Sequence, residues 1–443
     1  MSFFSTITEA DLNKFVSECF PPRRESIDTF YDDLNSIVSR KILVSEIVSS
    51  KSSTIEPNLL KQVRKKLDNF YTGFFSDKET ISFINNCEDC RKKECVEYMI
   101  EIYGQGDNTS LVYQIMLLRE QKTDNYDEMS NIYNRILHLA YKSAKTLGSE
   151  SLTNYYDKGR LYSDVYSTIR EIFKDYRSFT DADSLINKII EDTIWSNHIF
   201  TFEKVEFYAV RVVEILEKFY GKYIIVEKTS GDSIFLKLGS QKHVIVVSLN
   251  NEFSHATYFR LGEEIYHTLA LAYPQSFYHE LGHIVDSLFV EDDCIFITGK
   301  CFLNETSSIL FEYFDGEIVV ERKHKNLLQM LMMGFDYYVN SFSFEKVPSV
   351  FEIIDKFKSY INLIFPGLTN NIRIPYYLMD HCLLGSTGRC IDYYMDFCLA
   401  EKFYKNMFGR NIENVGAHDT FSKTFMNKRF LKKEECSNVL PEC

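Results

Sequence analysis

Apolar side chains recur with a helical period along the first half of the chain. Residues 27–38, 60–74 and 129–140 each place an apolar side chain at every third or fourth position, which is typical of one buried face of an α-helix. Proline is absent between Pro57 and Pro274, so the strongest helix breaker is missing from half of the chain. We predict a helical region over residues 1–220.

The pattern changes after Tyr220 to short runs of β-branched and aromatic residues. Residues 223–226 and 233–236 flank a turn containing Gly231 and Asp232, which predicts a β-hairpin, and residues 243–249 predict a third strand. Helical periodicity returns over 327–338 and 350–364. The chain therefore reads as mainly α, with a small sheet near the start of a second region, residues 221–443.

The second region contains the sequence His279-Glu280-Leu281-Gly282-His283. Residues four apart lie on one face of a helix, so both imidazoles can point at one metal ion. Glu280 lies about 100° further round the helix, where its carboxylate can deprotonate a water held by that metal. Gly282 would let another backbone approach the helix closely.

A metal site of this kind needs one more protein ligand and an open fourth position. Glu305 follows 22 residues after His283 on a second predicted helix, and Glu312 lies two turns further on the same face. We predict that His279, His283 and Glu305 bind Zn²⁺ and that Glu312 orients a histidine. The alternative is two histidines that happen to be four residues apart, and the presence of a third potential ligand, Glu305, argues against it.

These two motifs resemble the thimet oligopeptidase and oligoendopeptidase F family of zinc metallopeptidases. That family has H-E-x-G-H followed by E-x-x-S-x-x-x-E, which here corresponds to Glu305, Ser308 and Glu312. The chain departs from the family pattern at Asp286, where the family often has a histidine. The resemblance implies a helical zincin-type fold, and residues 1–220 would form one wall of a deep cleft that admits short unstructured peptides.

The same family takes Tyr and His hydrogen-bond donors from a downstream segment rich in glycine and tyrosine. The corresponding residues here are His381, Tyr393 and Tyr394, although no single register aligns them all. The resemblance implies that His381 or Tyr394 polarises the substrate carbonyl. The alternative for the tyrosines is ordinary core packing.

Charge and cysteine content limit the partners and the compartment. Fifty basic residues against 63 acidic ones give a net charge of −13, which disfavours nucleic acid or an anionic membrane as partner. The N-terminus lacks the pattern of a signal peptide, and no segment reaches the roughly 18 apolar residues of a membrane span. The 11 cysteines are an odd number, so we expect reduced thiols and a cytoplasmic protein.

Three minor features are interpreted as structural or left open. Cys87, Cys90 and Cys95 form a cluster without a fourth zinc ligand at the usual spacing. His255 and His267, expected between the sheet and the metal helix, are interpreted as ordinary polar residues. The small sheet either holds an extended substrate by strand addition or serves the fold alone.

The sequence thus predicts a hydrolase, a zinc metallopeptidase that cleaves short peptides with Glu280 as general base. One alternative is a toxin- or effector-like metalloprotease that cuts a specific protein. A shallow cleft would favour this alternative over an oligopeptidase. Another is a non-catalytic, zinc-stabilised helical scaffold that binds partners. A structural zinc site has no need of a base at position 280, which argues against the scaffold.

Overall fold

A computed structural model gives the fold of the 443-residue chain. It describes residues 7–18, 20–49, 55–88, 125–146, 202–220, 224–230, 233–239, 242–249, 254–261, 263–272, 276–289 and 305–312, together with isolated positions at 92–121 and 352–400.

The chain forms two compact units, each discontinuous in sequence. Unit 1 comprises Met1–Gln105, Trp195–Asp315 and Asp396–Cys443, and unit 2 comprises Gly106–Ile194 and Gly316–Met395. The predicted division into residues 1–220 and 221–443, with the first forming a cleft wall, stays a prediction.

Four helices open unit 1: α1 Glu9–Ser17, α2 Ile27–Ser49, α3 Pro57–Ser76 and α4 Lys78–Asn85. Helix α1 begins with a capping box between Thr8 and Asp11, which satisfies two free backbone N–H groups. Helix α4 begins where the Asp77 side chain accepts from the Thr80 N–H at 3.0 Å. The helices predicted over 27–38 and 60–74 are therefore confirmed, and their apolar faces pack together in the core of unit 1.

In unit 2, helix α5 spans Tyr126–Thr146, where the sequence predicts a helix over 129–140. Its buried side chains keep the helical period that predicted it: Ile132, Ile136, Leu137 and Ala140.

Helix α6, Phe202–Tyr220, leads into a five-stranded sheet of unit 1. The strands are β1 Ile224–Ser230, β2 Ser233–Leu238, β3 His243–Leu249, β4 His255–Leu261 and β5 Glu264–Leu271, in the order β1-β2-β3-β5-β4. Strands β3 and β5 are parallel, and the other neighbours are antiparallel. The predicted hairpin and third strand are confirmed, whereas the sequence did not predict β4 and β5.

The expected position of His255 and His267, between sheet and metal helix, is wrong because both lie within strands. His255 Nε2 lies 3.0 Å from Glu46 Oε2 of α2. His267 is fully buried, and its Nε2 lies 2.9 Å from His243 Nδ1. Burial, and then the neighbouring His243, lower the pKa of His267 well below its usual range, so it stays neutral inside the sheet.

Helix α7, Phe277–Phe289, packs against β4 and β5 and carries the histidine pair. Its apolar face buries Phe277, Leu281, Ile284, Val285 and Leu288. Ser287 links α7 to β5 by a polar contact, because its Oγ lies 2.8 Å from His267 Nδ1. The Ser287 hydroxyl also donates to the Ile284 carbonyl oxygen within α7. Helix α8, Thr306–Glu312, packs directly on α7.

The predicted fold class is confirmed in its architecture: mainly α, with a small sheet beside the helix that carries the histidine pair. No helix within the described ranges is both long enough and apolar enough to cross a membrane. The Cys87 thiol donates to the Phe83 carbonyl oxygen at 3.3 Å, while Cys90 and Cys95 lie outside the described residues.

Candidate metal centre

His279 and His283 extend from successive turns of α7 on one face of the helix. Their ring centroids are 5.2 Å apart and the rings are nearly perpendicular, at 86°. The side chains are 14% and 25% exposed, so both are partly buried yet remain reachable from solvent.

Glu305 completes a group of three potential ligands. It directly precedes α8, and its Oε2 lies 3.3 Å from both His279 Nε2 and His283 Nε2. The three ligand atoms all lie within 4.8 Å of one another, the one such group of His, Cys, Asp and Glu side chains among the described residues.

The donor set and its spacing fit a zinc ion. Two imidazoles and a carboxylate form a known ligand set of catalytic zinc sites, with bonds of about 2.0–2.2 Å. Ligand atoms at that distance in a tetrahedron are about 3.4 Å apart, close to the 3.3 Å between Oε2 and each Nε2. The assignment of the three residues as zinc ligands stays a prediction.

Glu312 contacts the Nδ1 side of the His279 ring. Its Oε1 lies 2.6 Å from His279 Nδ1, and its side chain is only 6% exposed. An N–H at Nδ1 that donates to this carboxylate leaves Nε2 free to face a metal and makes it a stronger donor. This is the role that the sequence predicts for Glu312.

Gly282 explains how α8 comes close enough to bring Glu305 to the histidines. A Cβ at this position would lie 2.4 Å from Ser308 Cα and 2.6 Å from the Ser307 carbonyl oxygen. Backbone atoms cannot yield to such a contact, so only glycine permits this spacing between α7 and α8.

The electrostatics of the group favour positive charge between the histidines. Burial lowers the pKa of His279, but hydrogen bonds to Glu305 and Glu312 outweigh it and raise the pKa to about 10. Burial also lowers the pKa of His283, but the charge of Glu305 outweighs it and the pKa rises. Burial raises the pKa of Glu305, but the charge of His283 and hydrogen bonds from both histidines hold it well below its usual range. A divalent cation would replace the protons on the two Nε2 atoms, because metal ligation requires neutral imidazole.

Glu280 differs from Glu305 and Glu312 in its hydrogen bonding. Its side chain is buried, with 8% of the residue exposed, yet it accepts no hydrogen bond from any residue in the described part of the chain. Its charge still contributes to the raised pKa of His283. Among the described residues, none therefore competes with a water or substrate for the Glu280 carboxylate oxygens.

Two predicted site residues, His381 and Tyr394, lie outside the described residues, as does Tyr393. Sequence reasoning in turn missed a contact inside the site, from the Ser308 hydroxyl to the Glu305 carboxylate. Its signal was present, since Ser308 belongs to the motif that also contains Glu305 and Glu312.

Neither a protein-family model nor a curated protein matches this chain. Solved structures do match over nearly the whole chain. One, described as CHT, has a TM-score of 0.61 at 14% identity and covers 94% of this chain and 96% of its own. Another, a carboxypeptidase from Pyrococcus furiosus described as apo-Mg, has a TM-score of 0.55 at 12% identity and covers 98% of this chain and 90% of its own.

At such low identity the likeness concerns the fold. The chain has a fold similar to that of the Pyrococcus carboxypeptidase. The narrower resemblance to the thimet oligopeptidase and oligoendopeptidase F family rests on the motifs around His279 and Glu305. A shared fold does not imply a shared function, which depends on the residues of the site.

Proposed function

We propose that this chain is a zinc-dependent peptidase that hydrolyses peptide bonds in short unstructured peptides, as a divergent relative of the thimet oligopeptidase and oligoendopeptidase F family. One observation supports the proposal: His279 Nε2 and His283 Nε2 each lie 3.3 Å from Glu305 Oε2, beside the buried carboxylate of Glu280, which accepts no hydrogen bond from a described residue. Ligands alone suit a structural site, whereas ligands with an adjacent free base suit hydrolysis.

The residues of the site then have four different roles. His279, His283 and Glu305 would hold Zn²⁺, which when bound polarises a carbonyl and makes water more acidic. Glu280 takes a proton from the water that attacks the peptide carbonyl and later gives it to the leaving amine. Glu312 keeps the Nδ1 proton of His279 in place. His381 or Tyr394, assigned through the family resemblance, would donate a hydrogen bond to the developing oxyanion.

The proposed substrate and compartment follow from composition and from the family. A net charge of −13 suits neutral or basic peptides better than nucleic acids or anionic membranes. The odd number of cysteines suits a reducing compartment, and we propose the cytoplasm.

Exchanging Glu280 for glutamine tests the proposal. The amide cannot take a proton, and Glu280 is not a ligand in this scheme. Glu280→Gln should keep zinc and lose about 10²–10⁴-fold in peptide turnover, which corresponds to roughly 3–5 kcal/mol of barrier. Zinc content and cleavage of a quenched peptide library, with and without a chelator, measure both.

Glu206→Gln is the matched control, because Glu206 is exposed on α6 and should change neither quantity. Most of the peptidase activity surviving in Glu280→Gln would contradict the mechanism. A wild-type protein that binds zinc tightly but cleaves no peptide would instead favour the scaffold, and cleavage of one folded protein alone would favour the effector-like protease.

A further inference from the structure

We propose that the Ser308 hydroxyl fixes the Glu305 carboxylate so that it offers a single oxygen to the metal. Ser308 would then be a positioning residue that acts through Glu305. This inference rests on the proposed function, because it presupposes a metal held by His279, His283 and Glu305.

The Ser308 hydroxyl has one proton and two acceptors within reach, both on Glu305. Its Oγ lies 2.8 Å from the Glu305 carbonyl oxygen and 3.0 Å from Glu305 Oε2. The carbonyl already accepts the Ile309 N–H at 2.9 Å, the first backbone bond of α8. A hydrogen bond to an ionised carboxylate is roughly twice as strong as one between neutral groups, so the hydroxyl proton belongs on Oε2.

The oxygen that Ser308 binds is the one that faces both histidines. Glu305 Oε2 lies 3.3 Å from each Nε2, and a donor on this atom opposes rotation of the carboxylate about its last bond. A carboxylate that turns freely can present both oxygens to a metal. A catalytic zinc site keeps one position open for water or substrate, so a single-oxygen Glu305 preserves that position.

Ser308 itself has little freedom to move. The residue is fully buried, and α7 lies against its backbone at Gly282, where even a Cβ would approach Ser308 Cα to 2.4 Å. Packing of α7 on α8 therefore fixes the serine, and the serine fixes the carboxylate. Outer contacts of this kind typically change metal affinity about 10–100-fold when removed.

Ser307 is a matched control on the same helix. It is also fully buried, and its Oγ has no hydrogen-bond partner in the described part of the structure. Ser307→Ala and Ser308→Ala remove the same atom from adjacent buried positions, but only the second removes a contact to the ligand.

The experiment compares the two alanine variants with wild type as metal-loaded proteins. Zinc affinity is measured by competition with a chromophoric chelator, and the coordination by the visible absorption of the Co²⁺-substituted proteins. Ser308→Ala should bind zinc about 10–100-fold more weakly, with weaker cobalt bands because a second carboxylate oxygen raises the coordination number. Ser307→Ala should match wild type in both.

Identical zinc affinity and cobalt spectra in Ser308→Ala and Ser307→Ala would overturn the inference while leaving the proposed function standing. A wild type that takes up neither Zn²⁺ nor Co²⁺ would overturn both. If Ser308→Ala does not fold, Ser308→Cys against Ser307→Cys replaces the pair, since a thiol is a weak donor and the same difference in zinc affinity is expected.

Discussion

Glu312 contacts His279 on the side away from Glu305, and this position decides what its removal would do. It lies 2.6 Å from Nδ1, whereas Glu305 lies 3.3 Å from Nε2 of the same ring. The Glu312 carboxylate therefore contacts Nδ1 of the imidazole, and the Glu305 carboxylate contacts Nε2, the nitrogen that would bind the proposed metal. A change at Glu312 should weaken the site without removing a ligand.

Glu312→Gln should lower zinc affinity by about 10–100-fold and leave a zinc site that can still be saturated. The amide oxygen can accept from Nδ1, but it lacks the negative charge that makes the ring a stronger donor. Chelator competition measures the affinity, with Glu206→Gln as an exposed control. Affinity equal to that of wild type would mean that the 2.6 Å contact has no bearing on the metal.

At the residue scale, the proximity of His279, His283, Glu305 and Glu312 agrees with their spacing in the sequence. A spacing of four predicts that His279 and His283 share a helix face, and a spacing of seven predicts the same of Glu305 and Glu312. The Ser308 contact did not follow from spacing, because it depends on how the Glu305 side chain folds back over the turn that begins α8. His381 and Tyr394 stay predictions.

Between elements, the site depends on the close approach of α7 and α8 at Gly282. The two helices come into backbone contact there, and the three proposed ligands are divided between α7 and the residue preceding α8. Any side chain at 282 would have to push the helices apart and so separate Glu305 from the histidines.

Gly282→Ala should destabilise the fold by about 1–3 kcal/mol, the usual cost of overpacking, and reduce zinc affinity. Gly73→Ala in α3 is the opposing control. No atom lies within 4 Å of a Cβ at Gly73, and replacing a helical glycine by alanine stabilises by about 0.5–1 kcal/mol. Thermal unfolding of both variants and zinc affinity of the first are the measurements. A Gly282→Ala protein as stable as wild type with full zinc affinity would contradict this account of the packing.

The two strands that the sequence did not predict show where pattern reading fails. Strand β5 lies between β3 and β4 and buries most of its residues on both faces, so alternation is lost. It also carries His267 and Thr268 inward, which breaks the apolar run. Their polar atoms are satisfied by neighbours on other elements, such as Ser287 and Thr257, and such partners are invisible in a local window.

At the scale of the whole molecule, this chain and the Pyrococcus carboxypeptidase have similar folds although few of their residues are identical. The Pyrococcus carboxypeptidase covers 98% of this chain at 12% identity, while the recognisable motifs occupy only 279–312. Apolar patterning can maintain a fold through extensive substitution, because cores tolerate exchanges that keep volume and period. Metal binding and proton transfer depend on particular side chains, so the proposed function depends on a few residues between 279 and 312.

The measurement that tests the central claim most directly is the zinc content of the purified chain and of two histidine variants. Wild type and His138→Ala, whose residue is exposed on α5, should each hold about one zinc per chain, and His283→Ala should fall towards none because it loses one of three protein ligands. Zinc at equal content in His283→Ala and wild type, or no zinc in wild type, would contradict the claim that His279, His283 and Glu305 form a metal site.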